Sequence, residues 1–363
     1  MAGCDILVSG TGGFAARIAF DIAATAEEPV EVVIGGRNRE RLNWLRTAAN
    51  ARAALFGKKA RFTTHAVDLL APNASDEMLV ATGPRIVVQA ASIQTSQVIA
   101  QTGNAWTQLV AEGGLSATAV FQALLSSRVA AAITRAGKPV TLINCSFPDV
   151  VNGMIRAMGH DVACGMGNVA ILSNVFAGSA STPPGAEVKV LAHYQNLAAW
   201  RRRPDERGGQ APRVWLDGTE VADVYARFAD IQLTPEPVIE ISGASGVPMM
   251  LAMAAGRSWK GHVPGPNGLP GGYPVRLTTA GVLELDLPAG LTQDEAVAWN
   301  ASFEAQNGLV ISADGRIDFT GILGTRLGAH VPALRGGFPV QELEAVCEEL
   351  LRLRDALMSQ PQG

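Results

Sequence analysis

The first apolar run of this 363-residue chain stops at a glycine turn. Ile6-Leu7-Val8-Ser9 passes directly into Gly10-Thr11-Gly12-Gly13-Phe14-Ala15, and a helical pattern follows. A G-x-G-x-x-A turn between a strand and a helix has a mechanical meaning at each small residue. Gly10 permits the tight turn, Gly12 lets a pyrophosphate approach the backbone, and Ala15 lets helix and strand pack closely. The helix amino terminus adds N–H donors and partial positive charge. The turn therefore reads as the phosphate-binding end of a βαβ unit, and the chemistry expected there is dinucleotide binding.

The next residues extend that reading. Apolar runs of strand length at 6–9, 30–34, 61–65, 86–89 and 140–144 alternate with longer helical patterns, the signature of a parallel sheet. Runs such as VVQAA and VTLIN show no polar alternation, as expected of strands covered on both faces. After Pro148 the segments become longer and more mixed, with Gly/Pro-rich interruptions at Pro183-Pro184 and between Pro264 and Gly272. The expectation is an α/β chain: a Rossmann-type doubly wound parallel sheet over 1–150, a mixed α+β substrate lobe over 151–330, and a C-terminal helix within 331–363. Leu343, Val346, Leu350, Leu353 and Leu357 make one apolar stripe on residues 340–358, which reads first as a face packed on the chain's own core and second as a dimer seam.

The end of the second strand selects the nucleotide. An acidic residue there would hold the ribose hydroxyls of NAD(H), but the sequence runs Gly35-Gly36-Arg37-Asn38-Arg39, with no acid before Glu40. A guanidinium suits a 2′-phosphate, so NADP(H) is preferred over NAD(H). Arg37 is the first candidate and Arg39 or Arg41 the second. Asp68, after the third strand, reads either as an adenine neighbour or as a helix cap. The expected nucleotide-binding set is Gly10, Thr11, Gly12, Gly13, Phe14, Ala15, Gly36, Arg37, Asn38, Arg41, Asp68, Ala90, Ala91, Ser92 and Asn144.

Charge and cysteine usage exclude several other classes. A net charge of -4 gives no long-range attraction for nucleic acid or anionic lipid, and no apolar stretch reads as a bilayer span. The four cysteines are far apart with no C-x-x-C, and the acidic and histidine residues show no ligand spacing, so no metal is expected. The start lacks a basic segment before its apolar run, which argues against a signal peptide. A cytoplasmic homodimer acting on a small molecule is the expectation.

From the fourth strand onward the order of features resembles the lactate/malate dehydrogenase superfamily, over roughly residues 5 to 305. The resemblance is carried by Val87-Val88-Gln89-Ala90-Ala91, by Leu142-Ile143-Asn144-Cys145-Ser146-Phe147-Pro148-Asp149-Val150, and by Gly165-Met166-Gly167-Asn168. It continues through Val188-Lys189-Val190-Leu191-Ala192-His193-Tyr194-Gln195-Asn196, Tyr273-Pro274-Val275-Arg276, Gly281-Val282-Leu283 and Leu291-Thr292-Gln293-Asp294-Glu295. It implies that His193 relays the proton of a hydride transfer, a task suited to a group titrating near neutrality, and that Asn144 lines the nicotinamide end of the pocket.

Three landmarks of that family are missing. Residues 86–127 contain no Lys or Arg to polarise a substrate, and Ile171 and Asn174 stand where the family has its aspartate and its carboxylate-binding arginine. Lactate and malate are therefore disfavoured as substrates. A substrate would be held by Arg201 to Arg203, by Arg257 and Lys260, or by the uncharged loop carrying Gln94, Gln97, Gln101, Asn104 and Trp106, and an imine stays open beside a carbonyl or hydroxy compound. GGRNRERL also resembles the second-strand turn of saccharopine-dehydrogenase-like reductases, so an opine or amino-acid imine reductase is the alternative enzyme. No tyrosine is followed four residues on by lysine, against a short-chain reductase. The non-enzymatic alternative is an NADP(H)-binding sensor.

Overall fold

The computed structural model describes residues 3–94, 97–98, 101–233 and 239–361. Its first half is a six-stranded parallel sheet in the order β3-β2-β1-β4-β5-β6. The strands are β1 (Ile6–Ser9), β2 (Val30–Gly36), β3 (Ala60–Ala66), β4 (Ile86–Gln89), β5 (Thr141–Asn144) and β6 (Cys164–Gly165). Between them lie α1 (Gly13–Thr25), α2 (Arg39–Leu55), α3 (Ala74–Thr82), α4 (Ala105–Gly113), α5 (Ala119–Ala136) and α6 (Pro148–Ala157). The five strands read from sequence are all present. The sixth lies beyond residue 150, so the sheet runs past the boundary placed there. Two residues long, β6 carries no periodicity of its own.

Pleating sends alternate β1 side chains to opposite faces. Ile6 and Val8 enter a core shared with Ile18 and Ile22 of α1 and Leu42 and Leu45 of α2. Leu7 enters the other core, with Val87, Phe121 and Val129. Strand order reverses between β1 and β4, which pair in parallel with Ser9 opposite Gln89. A parallel sheet opens a crevice at the carboxyl ends of the strands flanking such a switch point. That is where Gly10 and Ala90 emerge.

The second lobe begins with α7 (Val169–Ala177) and two three-stranded antiparallel sheets. One contains β7 (Val188–Leu191), β8 (Arg213–Leu216) and β9 (Thr219–Glu220). The other contains β10 (Trp259–Pro264), β11 (Gly272–Leu277) and β12 (Leu283–Leu285). Two short helices, α8 (Val224–Arg227) and α9 (Ile239–Ser242), precede α10 (Val247–Ala254), and α11 (Gln293–Gln306) closes the lobe. Phe176, Trp200 and Phe228 form its separate core, the two phenylalanine rings stacked 4.4 Å apart.

The last segment returns to the first half. It comprises β13 (Leu309–Ile311), β14 (Arg316–Phe319), α12 (Gly321–His330), β15 (Phe338–Pro339) and α13 (Leu343–Met358). Leu323, Leu327, Leu343, Val346, Leu350 and Leu357 all join the core around Val87 and Phe121. The apolar stripe of α13 therefore meets this chain's own α4 and α5, as its pattern implied. One expectation needs correction: the segment Leu115–Ala136 is long and apolar enough to cross a membrane by length and composition, and 83% of its most apolar window is buried inside the structure. Its apolarity comes from being covered on all sides by α3, α6 and α13.

Candidate functional site

The crevice between β1 and β4 is shaped by its glycines. Gly10 has φ +141°, and a methyl group there would lie 3.1 Å from the backbone of Ala90 and Ala91. No other residue fits that approach without strain. Gly12 differs: its backbone is extended, and a methyl group on it would meet no atom of the described residues within 4 Å. It caps α1 without a side-chain hydrogen bond, and no acidic residue occupies the helix's first turn. The first-turn N–H groups of a helix have no acceptor within the helix. An uncapped, acid-free terminus beside open space is suited to an anion. Ala15 is buried against the sheet, Phe14 is half-buried, and Ile239 Cδ1 would be 3.3 Å from a methyl group on Gly13.

The end of β2 meets this turn directly. A methyl group on Gly36 would come within 2.7 Å of Thr11 Cγ2. Asn38 caps α2 by accepting the Arg41 N–H at 2.9 Å, so its side chain serves the helix. Arg41 donates from Nε to the Thr11 carbonyl at 3.3 Å. Arg37 is largely exposed and pairs with Asp68 at 3.8 Å. Asp68 also accepts the Leu70 N–H at 3.1 Å, but Leu69 and Leu70 form a turn and the next helix begins only at Ala74, so Asp68 is not the helix cap that its position suggests.

On the other wall, Gln89 is fully buried, donates to Ala91 O at 2.9 Å, and leaves Oε1 without a partner among the described residues. Ser146 Oγ reaches Ala91 O at 3.4 Å, and Ser92 turns its hydroxyl to Gln94 O at 2.6 Å. Gly10 to Ala15, Gly36, Arg41, Ala90 and Ala91 thus surround one crevice. These residues fit a dinucleotide: open space over an uncapped helix end, basic side chains at the tip of β2, and a buried acceptor on the opposite wall without a partner among the described residues.

Asn144 does not take the role expected of it. It is fully buried, Oδ1 accepts from Ser126 Oγ at 2.9 Å and Ser146 N at 3.0 Å, and Nδ2 donates to Ser146 O at 3.0 Å and Asn152 Oδ1 at 2.8 Å. A carboxamide offers two donors and two lone pairs, so nothing remains for a ligand. Asn144 shapes the turn after β5.

His193 sits just past β7, at the start of a 3₁₀ turn, and not within the strand. The ring is fully buried and stacked on Phe303, centroids 4.9 Å apart and planes 8° off parallel. Its Nδ1 accepts the Gln195 N–H at 3.3 Å. Its Nε2 is 3.3 Å from Glu304 Oε1 but off the hydrogen-bond axis, so it has no aligned acceptor. Glu304, on α11, is itself held by Ser116 Oγ at 2.7 Å and by the Leu309 N–H at 2.6 Å.

A second carboxylate joins this cluster. Asp149 Oδ1 accepts the Tyr194 N–H at 3.0 Å, and the Asn168 side-chain amide donates to Oδ2. Burial pushes the Asp149 carboxyl above its usual range, with His193 and Asn168 pulling the other way. Burial, then Glu304, pushes the Tyr194 phenol well above its ordinary value. Phe147 and Asn168, on either side of Asp149 in the cluster, both hold left-handed φ angles, 48° and 49°. Strained residues around perturbed buried acids are a mark of functional sites.

Sequence reasoning missed Glu304, Ser116 and the role of Asp149. Asp149 carried a signal, since it lies in the turn quoted for the dehydrogenase resemblance; Glu304 carried none, because it lies beyond the last quoted stretch, among other acidic and polar residues. Among the substrate-holding candidates, Trp106 is buried edge-on to Phe121 and Asn104 caps α4, so neither lines a loop surface. Arg203 pairs with Asp205, Arg257 with Glu28, and Lys260 with Asp286 and Glu187, all near the surface.

No family model and no curated protein matches the sequence. Solved structures do match. A malate dehydrogenase from Picrophilus torridus in its apo form aligns with TM-score 0.53 and 13% identity, over 84% of this chain and 95% of that one. A lactate dehydrogenase from Eimeria maxima with NADH and oxamate gives 0.52 and 14%, over 83% and 93%. One from Cryptosporidium parvum, complexed with lactic acid and nicotinamide adenine dinucleotide, gives 0.50 and 16%, over 84% and 96%. With a switch-point crevice in a six-stranded parallel sheet and a lobe of antiparallel sheets behind it, this chain has the fold of the lactate and malate dehydrogenases.

Proposed function

We propose that this chain is an oxidoreductase that binds NADP(H) in preference to NAD(H) and moves a hydride to or from a small carbonyl, hydroxy or imine substrate. The observation that carries the reading is the cradle at Gly10 to Ala15, open over Gly12 and bordered by basic residues where an NAD-binding site would place an acid. The nucleotide supplies the hydride chemistry when bound. The chain's own residues would hold it: the α1 N–H groups are placed to bind the pyrophosphate, and the tip of β2 with Arg37 and Arg41 to bind the ribose phosphate.

Hydride transfer to a carbonyl also needs a proton, and His193, with an unaligned Nε2 beside a carboxylate, is the candidate donor in the second lobe. The loss of Lys and Arg from residues 86–127 favours a neutral substrate or an imine, which needs less polarisation than a ketone. A second reading is a nucleotide sensor without turnover. It is favoured by the complete burial of His193 and the full commitment of Asn144. Fluorescence titration with NADPH and NADH, then loss of NADPH fluorescence with a panel of ketones and imines, tests both. Binding with turnover supports the enzyme, binding without turnover supports the sensor, and no binding of either nucleotide refutes both.

A further inference from the structure

We propose that Arg41, and not the more exposed Arg37, distinguishes NADP(H) from NAD(H), and that it braces the glycine turn while doing so. The inference rests on the nucleotide-binding reading above and assigns its specificity to one side chain.

Three observations carry it. Arg41 is half-buried in the first turn of α2, and its Nε is already fixed on the Thr11 carbonyl. Its remaining guanidinium N–H groups are therefore held in one orientation, and no ion pair with a carboxylate engages them among the described residues. A fork oriented in advance loses less freedom when it grips a phosphate. Arg37, in contrast, has an exposed side chain and a carboxylate partner in Asp68. A 2′-phosphate approaching Arg37 meets that carboxylate as well, and like charges oppose it.

The contact between Thr11 and Gly36 completes the argument. The methyl of Thr11 packs so closely on Gly36 that the glycine turn and the tip of β2 form one wall. Arg41 spans that wall from its helix to the backbone of the turn. Removing it releases a hydrogen bond to the pyrophosphate-binding loop as well as a cation, so binding of NADH must weaken slightly too.

The test is calorimetric titration of the full-length chain with NADPH, NADH and 2′,5′-ADP, comparing wild type with Arg41→Gln, Arg41→Lys and Arg37→Gln. Charge-assisted bonds set the scale: Arg41→Gln is expected to weaken NADPH and 2′,5′-ADP about 30-fold and NADH less than about 5-fold. Arg41→Lys keeps the charge without the fork and is expected to recover only part of that loss. Arg37→Gln is expected to cost NADPH less than about 5-fold. Circular dichroism of each variant confirms that the fold is kept. An unchanged NADPH-to-NADH ratio in Arg41→Gln, or a larger loss in Arg37→Gln, overturns the assignment while nucleotide binding stands. A wild-type chain that binds neither nucleotide overturns both.

Discussion

Gly12 allows the cradle to be tested separately from the fold. Its φ and ψ, -71° and 179°, are open to any L-residue, and a methyl group there contacts no described residue within 4 Å. Gly12→Ala therefore costs the folded state no strain and removes freedom from the unfolded one, a gain of about 0.4–1 kcal/mol. At roughly 2.1 cal/mol/K of unfolding entropy per residue, a chain of this length has about 0.76 kcal/mol/K, so Tm moves by no more than about +1 °C. The same methyl group occupies space that a pyrophosphate would need, and NADPH binding is expected to fall at least about 10-fold, roughly 1.4 kcal/mol. Gly10→Ala is the contrasting variant. With φ +141° and backbone atoms at 3.1 Å, it is expected to lose about 1–3 kcal/mol of stability. Thermal unfolding followed by tryptophan fluorescence, paired with NADPH titration, reads both quantities. If Gly12→Ala bound NADPH as tightly as wild type, the open space over α1 would not be a nucleotide site.

Glu304→Ala strands the buried Leu309 N–H and leaves the Ser116 hydroxyl only Tyr194 as a partner, and is expected to cost about 1–3 kcal/mol, or roughly 1–4 °C in Tm; a loss below about 0.5 kcal/mol would mean that the cluster is wet or loosely held. His193→Gln is expected to abolish most NADPH oxidation while leaving the NADPH Kd within about 3-fold, and unchanged turnover would remove His193 from the reaction. The folded Asp149 carboxyl titrates above its unfolded value, so the native state holds its proton after the unfolded chain has lost it, and stability falls as pH rises through the window starting at the usual carboxylate range. Asp149→Asn is expected to flatten that part of a urea-midpoint profile taken between about pH 4 and 7; an unaltered slope would place the titration elsewhere. His262 carries the opposite sign: burial, then Lys189, holds it down to about 3 and its Nε2 accepts the Val190 N–H at 2.9 Å, so its contribution is complete above about pH 6.5 and declines as acid is added. His262→Gln should therefore reduce the acid sensitivity of the urea midpoint.

What the sequence displayed was what is local. The strand, turn and helix from Ile6 to Thr25 are set by neighbours within the same stretch, and the turn's chemistry could be read residue by residue. The buried parallel strands were legible because nothing polar interrupts them. The polar cluster was not, since His193, Glu304, Ser116 and Asp149 come from four distant parts of the chain and no spacing joins them. The family's aspartate position falls on α7, at Ile171, whereas the carboxylate near His193 comes from α11. Asn144 shows the opposite failure: a position in a family motif suggested ligand contact, and packing used all its hydrogen bonds.

The return of β13 to α13 onto the first half changes what synthesis order can achieve. Leu343, Val346 and Leu350 fill space beside Phe121 and Val129, and the Ala105 N–H donates to Gln360 O at 3.1 Å. As the chain leaves the ribosome, the parallel-sheet half is made first but waits with one flank uncovered until α13 arrives. A nascent chain stalled near residue 330 would thus expose the apolar flank of α4 and α5 to any chaperone within reach, although every strand of the parallel sheet had already been made.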